Sequence, residues 1–288
     1  MPNLELARKD DLSSFRKMAL GTWRTPSDPQ VYGSLSLRMD EAQRYIADFR
    51  QKTGRRLTVS HLVAKSAAMA LAACPEANAI LRFNRIYLRK RIGIFFQVVM
   101  PDQGSSKVDL SGATLYDVEK KSLIELCDEF ETKVAKVKAR KDEQLEGARR
   151  RFLLIPYSLL HLAFKLLSFL SFTLNLDLRW AGIPSDPFGS VMVTNIGSLG
   201  LDLAYAPLVP YSRVPMLLAV GAVRETPVVE DGRVVVGQQM SINATFDHRL
   251  VDGFHAAVMS KVLREWLEHP YAHFDKLDDS DLPSAAAT

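Results

Sequence analysis

The chain has 288 residues, 47% of them apolar, enough for one large domain or two small ones with a full core. Its net charge of +4 is too even to call for nucleic acid as a partner, and its six histidines show no metal-ligand spacing. Two distant cysteines, Cys74 and Cys127, and a polar N-terminus without an apolar signal core point to a reducing cytoplasm.

In chain order, residues 10–30 read as a short helix and an irregular turn through Pro26 and Pro29. Alternation of Val31, Gly33, Leu35 and Leu37 predicts a strand. A helix over 40–53 starts at Asp40, a candidate cap, and stops at Gly54. An alanine-rich helix over 59–73 begins after Thr58 or Ser60 and stops before Pro75; its His61 reads as a packed or rim residue. Strands are predicted over 82–89 and 92–100. Ser122 opens a helix that runs through Lys141, and its cations Lys133, Lys136, Lys138, Arg140 and Lys141 read as a solvated face ahead of a phosphate- or lipid-binding patch.

Arg149-Arg150-Arg151 then leads into a leucine- and phenylalanine-rich run over 152–174. Ser158, His161, Lys165 and Ser168 recur at spacings of three and four, so they share one stripe of a helix that is otherwise apolar. The run approaches the ~20 residues of a membrane span, but Lys165 and His161 in its middle count against crossing. Strands follow over 189–194 and 216–223, the second almost continuously apolar, as in a strand buried on both faces. A further strand approaches along 233–244. After Gly253 the residues Phe254, Ala257, Val258, Val262, Trp266 and Leu267 recur at helical spacing. Residues 1–276 read as one domain and 277–288, acidic and then alanine-rich, as a loose tail.

His248 sits where that last strand turns into that helix. A histidine titrates near neutrality, and a rigid element makes it a natural general base once something fixes its tautomer. Asp252 follows four residues later and could do this, or could brace the loop on an arginine.

The flanking residues sharpen the reading. Asp247-His248-Arg249-Leu250-Val251-Asp252-Gly253 resembles the Asp-His-Arg-x-x-Asp-Gly signature of the acyltransferase component of 2-oxoacid dehydrogenase complexes, and Asp252-Gly253-Phe254-His255 is similar to the related chloramphenicol acetyltransferases. Val193-Thr194-Asn195-Ile196-Gly197 resembles the first family's Ile-Ser-Asn-Leu-Gly segment. Lys65-Ser66-Ala67-Ala68, the Pro101 turn, Lys121-Ser122-Leu123, Pro215 and Leu218 to Ala222 follow in the family's order. Several dispersed blocks in one order carry more weight than a single motif.

The resemblance implies an α/β chloramphenicol acetyltransferase-like fold, a mixed β-sheet with helices packed on one side. It implies coenzyme A-dependent acyl transfer to a thiol or another small acceptor, with His248 as base, Thr194 as the hydroxyl that stabilises the oxyanion, and Asp252 as brace. Arg24 is the expected partner of Asp252, with Asn195, Asp247 and Arg249 in support. It further implies a homotrimer, or a multiple of trimers, with His248 of one chain facing Thr194 of the next. No lipoyl domain, subunit-binding domain or Ala/Pro-rich linker is read in these residues, so a lipoyl group is expected only in trans. Residues 150–184 depart from the family as an apolar insertion. It reads as packing within the core or between subunits, as a contact with a membrane surface or partner protein (making the chain peripheral), or as a roof over an acyl pocket. The alternative reading is a catalytically reduced homologue that builds a trimer-based scaffold through this insertion.

Overall fold

A mixed sheet of seven strands is the frame of the molecule. The computed structural model describes residues 29–101, 108–139 and 156–277. The expected helix and turn before residue 29, Arg24, the Arg149 to Arg151 cluster and the tail beyond 277 lie outside them. The strands are β1 (Gln30–Arg38), β2 (Ala79–Arg82), β3 (Arg85–Leu88), β4 (Gly93–Pro101), β5 (Val108–Tyr116), β6 (Val191–Asn195), β7 (Met216–Val220), β8 (Arg224–Glu230) and β9 (Arg233–Asp247). The helices are α1 (Asp40–Thr53), α2 (Val59–Ala73), α3 (Leu123–Lys138), α4 (Tyr157–Ser168), α5 (Gly253–Glu268) and α6 (Pro270–His273).

The strand order is β1-β9-β7-β6-β4-β5, with β8 also paired to β9. Strands β4, β6 and β7 run parallel, and the remaining pairs are antiparallel. Strand periodicity divides the sheet's side chains between two layers. Ile94, Phe96, Val191, Val193, Met216, Leu218, Met240 and Ile242 pack with α1, α2, α3 and α5 in the main core. Phe95, Met192, Leu217 and Ala219 point the other way, under Phe188, Ala204, Ala206, Leu208 and Val209. Helices thus cover one face and an extended loop covers the other. The polar side of β9 holds that loop: Thr245 Oγ1 donates to Ala206 O at 2.8 Å, and Asn243 Nδ2 donates to Asp202 O at 3.3 Å. Every residue of β7 is buried, as its apolar run predicts.

The helix ends have identifiable causes. Gly54 closes α1 with φ 68°, a left-handed conformation that costs glycine nothing sterically. Ser122 and Glu125 form a reciprocal cap on α3, with Ser122 N–H donating to Glu125 Oε2 at 2.8 Å. Asp40 is not the cap of α1. Met39 occupies that position, and the Asp40 carboxylate instead accepts from Gln238 N–H at 3.1 Å and Arg38 Nε at 2.9 Å, tying the helix start to β9.

Four sequence readings change. The strand expected over 82–89 is a hairpin, β2–β3, because Phe83 and Asn84 take positive φ values of 49° and 56° between the paired Arg82 and Arg85. Strand β5 had no clear pattern in the sequence; its Gly112 is needed because a Cβ there would lie 2.0 Å from Phe95 Cζ. Lys133 is not simply solvated, since it pairs with Glu129 at 2.9 Å and donates to Thr114 O at 2.7 Å. In α5 the buried row is Met259, Leu263 and Leu267, while Phe254 is 75% exposed.

The insertion forms α4, which continues as a wider π turn over Phe169–Thr173. Phe164 stacks on Tyr211 with ring centroids 4.8 Å apart, and Ser168 accepts from Arg213 Nε at 2.9 Å. No helix among the described residues is long and apolar enough to cross a membrane.

Candidate active site

The turn that carries His248 is pinned from both sides. Asp247 N–H donates to Pro215 O and His248 N–H to Pro29 O, each at 2.9 Å. The chain then folds tightly, with the N–H groups of Leu250 and Val251 both donating to Asp247 O at 2.9 Å. Leu250 and Val251 are buried and anchor the turn in the core. The Asp247 carboxylate accepts a fork from Arg249, Nε at 2.9 Å and the terminal nitrogen at 2.6 Å, and also Arg249 N–H at 3.1 Å. Asp247 and Arg249 therefore stiffen the turn from its two flanks, and the His248 side chain between them is exposed.

Asp252 caps α5. Its Oδ1 accepts from Phe254 N–H at 2.9 Å and His255 N–H at 3.0 Å, and lies 2.7 Å from His255 Nδ1. These contacts, the His255 backbone N–H foremost, hold the Asp252 carboxyl below the usual carboxylate range. The far nitrogen of His255 reaches Glu76 at 3.3 Å. Among the described residues Asp252 is held by a histidine and two helix amides; Arg24, the partner the sequence reading expected, lies outside them. His255 was not singled out as a supporting residue, although Asp252 and His255 have the three-residue spacing of a capping pair.

Thr194 is half-buried near the end of β6 and shares the loop-covered face with Met192 and Ala219. The next residue, Asn195, is exposed and fixes the turn after it. Its Oδ1 accepts from Ser198 N–H at 2.9 Å, and its Nδ2 donates to Ser60 Oγ at 3.0 Å near the start of α2. Gly197 allows a close backbone approach, since a Cβ there would sit 2.6 Å from Ala222 N. A cleft of about 350 Å³ opens at this end, lined by Val59, Asn195, Ser198, Val220 and Arg224 among others. Ser60 and Ser198 had no motif to mark them; only the fold brings them to Asn195.

The two candidate groups do not meet within one chain. Thr194 lies in the same sheet row as Ala219 and Asn243. His248 comes five residues after Asn243, roughly 17 Å further along the strand direction and two strands across. Because β9 runs antiparallel to β7, His248 lies at the end of the sheet where β6 and β7 begin, and Thr194 lies where they finish.

Two buried groups, on α2 and α3, lie within the helix layer. His61 is 2% exposed, and burial lowers its pKa to about 4. Its Nδ1 accepts from Thr58 N–H at 3.2 Å, and its ring packs edge-on to Phe130 with centroids 4.6 Å apart. Burial pushes the neighbouring Cys127 thiol up to about 12, the opposite of an activated nucleophile.

A mixed sheet with helices on one face thus carries an exposed histidine at a braced strand-to-helix turn and a half-buried threonine at a distant strand end. The chain belongs to the family of 2-oxoacid dehydrogenases acyltransferase (catalytic domain), whose model matches residues 15–152 and 188–274. Residues 153–187, most of the insertion, fall outside that match. A relative is the dihydrolipoyllysine-residue acetyltransferase component of the acetoin cleaving system of Bacillus subtilis (strain 168), 23% identical over 77% of this chain and 44% of its own length. The chain spans less than half the length of the curated relatives it matches. Among solved structures, the dihydrolipoamide acetyltransferase of Azotobacter vinelandii, studied for the role of a serine, a histidine and an asparagine in its catalytic mechanism, aligns with TM-score 0.62 at 18% identity, over 94% of this chain and 98% of the other. The cubic core of a pyruvate dehydrogenase multienzyme complex aligns with TM-score 0.63 at 19% identity, over 94% and 99%.

Proposed function

We propose that this protein is a coenzyme A-dependent acyltransferase that moves an acyl group between a thioester and a thiol, such as a dihydrolipoyl group presented in trans, or another small acceptor. The observation that carries the reading is the His248 turn: an exposed imidazole on a backbone fixed by Pro29, Pro215, Asp247 and Arg249. His248 takes the proton from the incoming nucleophile as that atom bonds to the thioester carbonyl carbon. Thr194 donates a hydrogen bond to the oxyanion that develops there, and the carbonyl re-forms as the thiolate leaves. Asp252 holds the start of α5 and so keeps the turn in place. Asn195 keeps the Thr194 strand end in register with α2.

The separation of Thr194 from His248 supports a site shared between copies of the chain, with His248 of one copy facing Thr194 of the next. Exposed apolar residues away from the insertion support such contacts: Val229, Val234 and Val236 on the β8–β9 hairpin, Leu199, Leu201 and Leu203 beyond β6, and Phe254 at the head of α5. A trimer, or a multiple of trimers as the cubic core suggests, is the assembly proposed. The cleft at Asn195 is too small to enclose a whole coenzyme A, which fits a binding channel completed by a neighbour. A cytoplasmic location is part of this proposal, and the buried free thiols Cys74 and Cys127 are in keeping with it. The test supplies acyl-coenzyme A with dihydrolipoamide, amines or alcohols and follows free coenzyme A and the acylated acceptor by chromatography, since total free thiol does not change when the acceptor is itself a thiol. Activity retained in His248→Ala rejects the base. Absence of turnover with every acyl group and acceptor favours the scaffold reading.

A further inference from the structure

We propose that α4 and the β2–β3 hairpin form a docking face for an anionic lipid surface, with α4 lying in the plane of the bilayer interface. This does not depend on the acyl-transfer reading. Helix α4 is apolar on two sides. One side is held by the protein through Phe164 against Tyr211 and Ser168 against Arg213. The other carries Leu159, Leu162, Leu166 and Phe169, which are 52%, 61%, 55% and 41% exposed. Their spacing of three, four and three residues makes one continuous outward stripe.

The hairpin extends that stripe. Phe83 meets Phe169 edge-on with ring centroids 6.5 Å apart, and Arg82 Nε donates to Thr173 O at 3.0 Å. Phe83, Ile86 and Leu88 are each more than half exposed. Trp180, later in the same insertion, is 85% exposed, and an amphipathic ring of this kind settles readily at a headgroup boundary.

Charge selects the occupant. Residues 77–101 contain Arg82, Arg85, Arg89, Lys90 and Arg91 with no Asp or Glu, and α4 carries Lys165 with none. Arg89 and Arg91 are engaged by Asp186 and Asp117, while Arg85, Lys90 and Lys165 are exposed beside the apolar stripe. An isologous contact with a second copy would set this cationic rim against itself. An anionic bilayer offers the complementary charge and an apolar interior for the leucines, and Lys165 can keep its ammonium at the headgroups while its stem lies along the apolar side. The helix is too short to cross, so it lies flat.

The test is flotation of the full chain with vesicles of phosphatidylcholine alone or mixed with phosphatidylserine. The chain should float with the mixed vesicles, at least about tenfold more than with phosphatidylcholine alone, and less as salt is raised. The double variant Leu162→Ser with Leu166→Ser should float about tenfold less than the parent, with unchanged circular dichroism and solution mass. Both side chains are exposed, so folding should survive; Arg85→Glu with Lys165→Glu, which should abolish the preference for phosphatidylserine, is a second probe. A parent that stays with the soluble fraction overturns the proposal. So does a leucine variant that floats like the parent, or one whose only change is a smaller solution mass, which would make the face a contact between copies.

Discussion

The two ends of the sheet hold their candidate groups in different ways. At the Thr194 end the support is long-range: Asn195 reaches Ser60 across 135 residues of chain, and Gly197 lets the turn press against Ala222. At the His248 end much of it is local. Asp247 binds Arg249 two residues on, and Asp252 binds His255 three residues on. Short-range bonds leave a signature in sequence spacing, and long-range bonds do not. This is why the histidine turn stands out as a motif while Thr194 is identified by likeness alone.

The comparison can be broken at several points, in order of expected effect. His248→Ala should lower kcat by ~10²–10⁴, measured with acyl-coenzyme A at saturating acceptor, with the solution mass unchanged. Thr194→Ala should lower kcat by ~10²–10³ while KM changes little, because the lost hydrogen bond matters most when the oxyanion forms. The sharpest version combines the two. If each site uses Thr194 from one copy and His248 from the next, co-refolding equal amounts of the two single variants should restore about one quarter of wild-type activity by random pairing. Recovery no greater than the sum of the inactive parents would require both groups to act within one chain.

Asp252 separates capping from charge. Asp252→Asn keeps an acceptor for the Phe254 and His255 amides, so its melting temperature should fall less than that of Asp252→Ala. If the carboxylate charge also matters to the turn, the Asn variant will still lose activity.

The smallest effect lies in the helix layer, at His61. Its folded pKa, about 4, is below its unfolded value, so its contribution to stability is complete above about pH 6.5. As pH falls from there toward 4, the unfolded chain takes up a proton that the buried ring refuses, and stability declines. His61→Gln keeps an acceptor for Thr58 N–H and does not titrate. It should reduce the loss of unfolding free energy between pH 7 and pH 4.5 by roughly 2 kcal/mol in urea titrations. Equal losses in both proteins would show that His61 is not the acid-sensitive group.

The helices were the most legible part of the chain. Helix α1 has the predicted bounds because its apolar face, acidic first turn and Gly54 stop all act within a few residues. Helix α2 and strands β1, β7 and β9 follow for similar reasons. The β2–β3 hairpin was read as one strand because nothing in Phe83-Asn84 forces a turn until Ala79 to Arg82 has a partner to fold against. Strand β5 was invisible in part because its Gly112 is required by Phe95, which packs where a Cβ would lie.

The sequence by itself determined helices α1 and α2, strands β1, β7 and β9, and the local bonds within the Asp247 to Gly253 turn, because each depends largely on forces between residues close along the chain. Tertiary structure decided that His248 and Thr194 lie at opposite ends of a sheet, that Asp252 caps a helix and pairs with His255, and which side of α4 is covered. Those outcomes depend on what packs against a face, and an apolar stripe in a sequence says that something should cover it without saying what does.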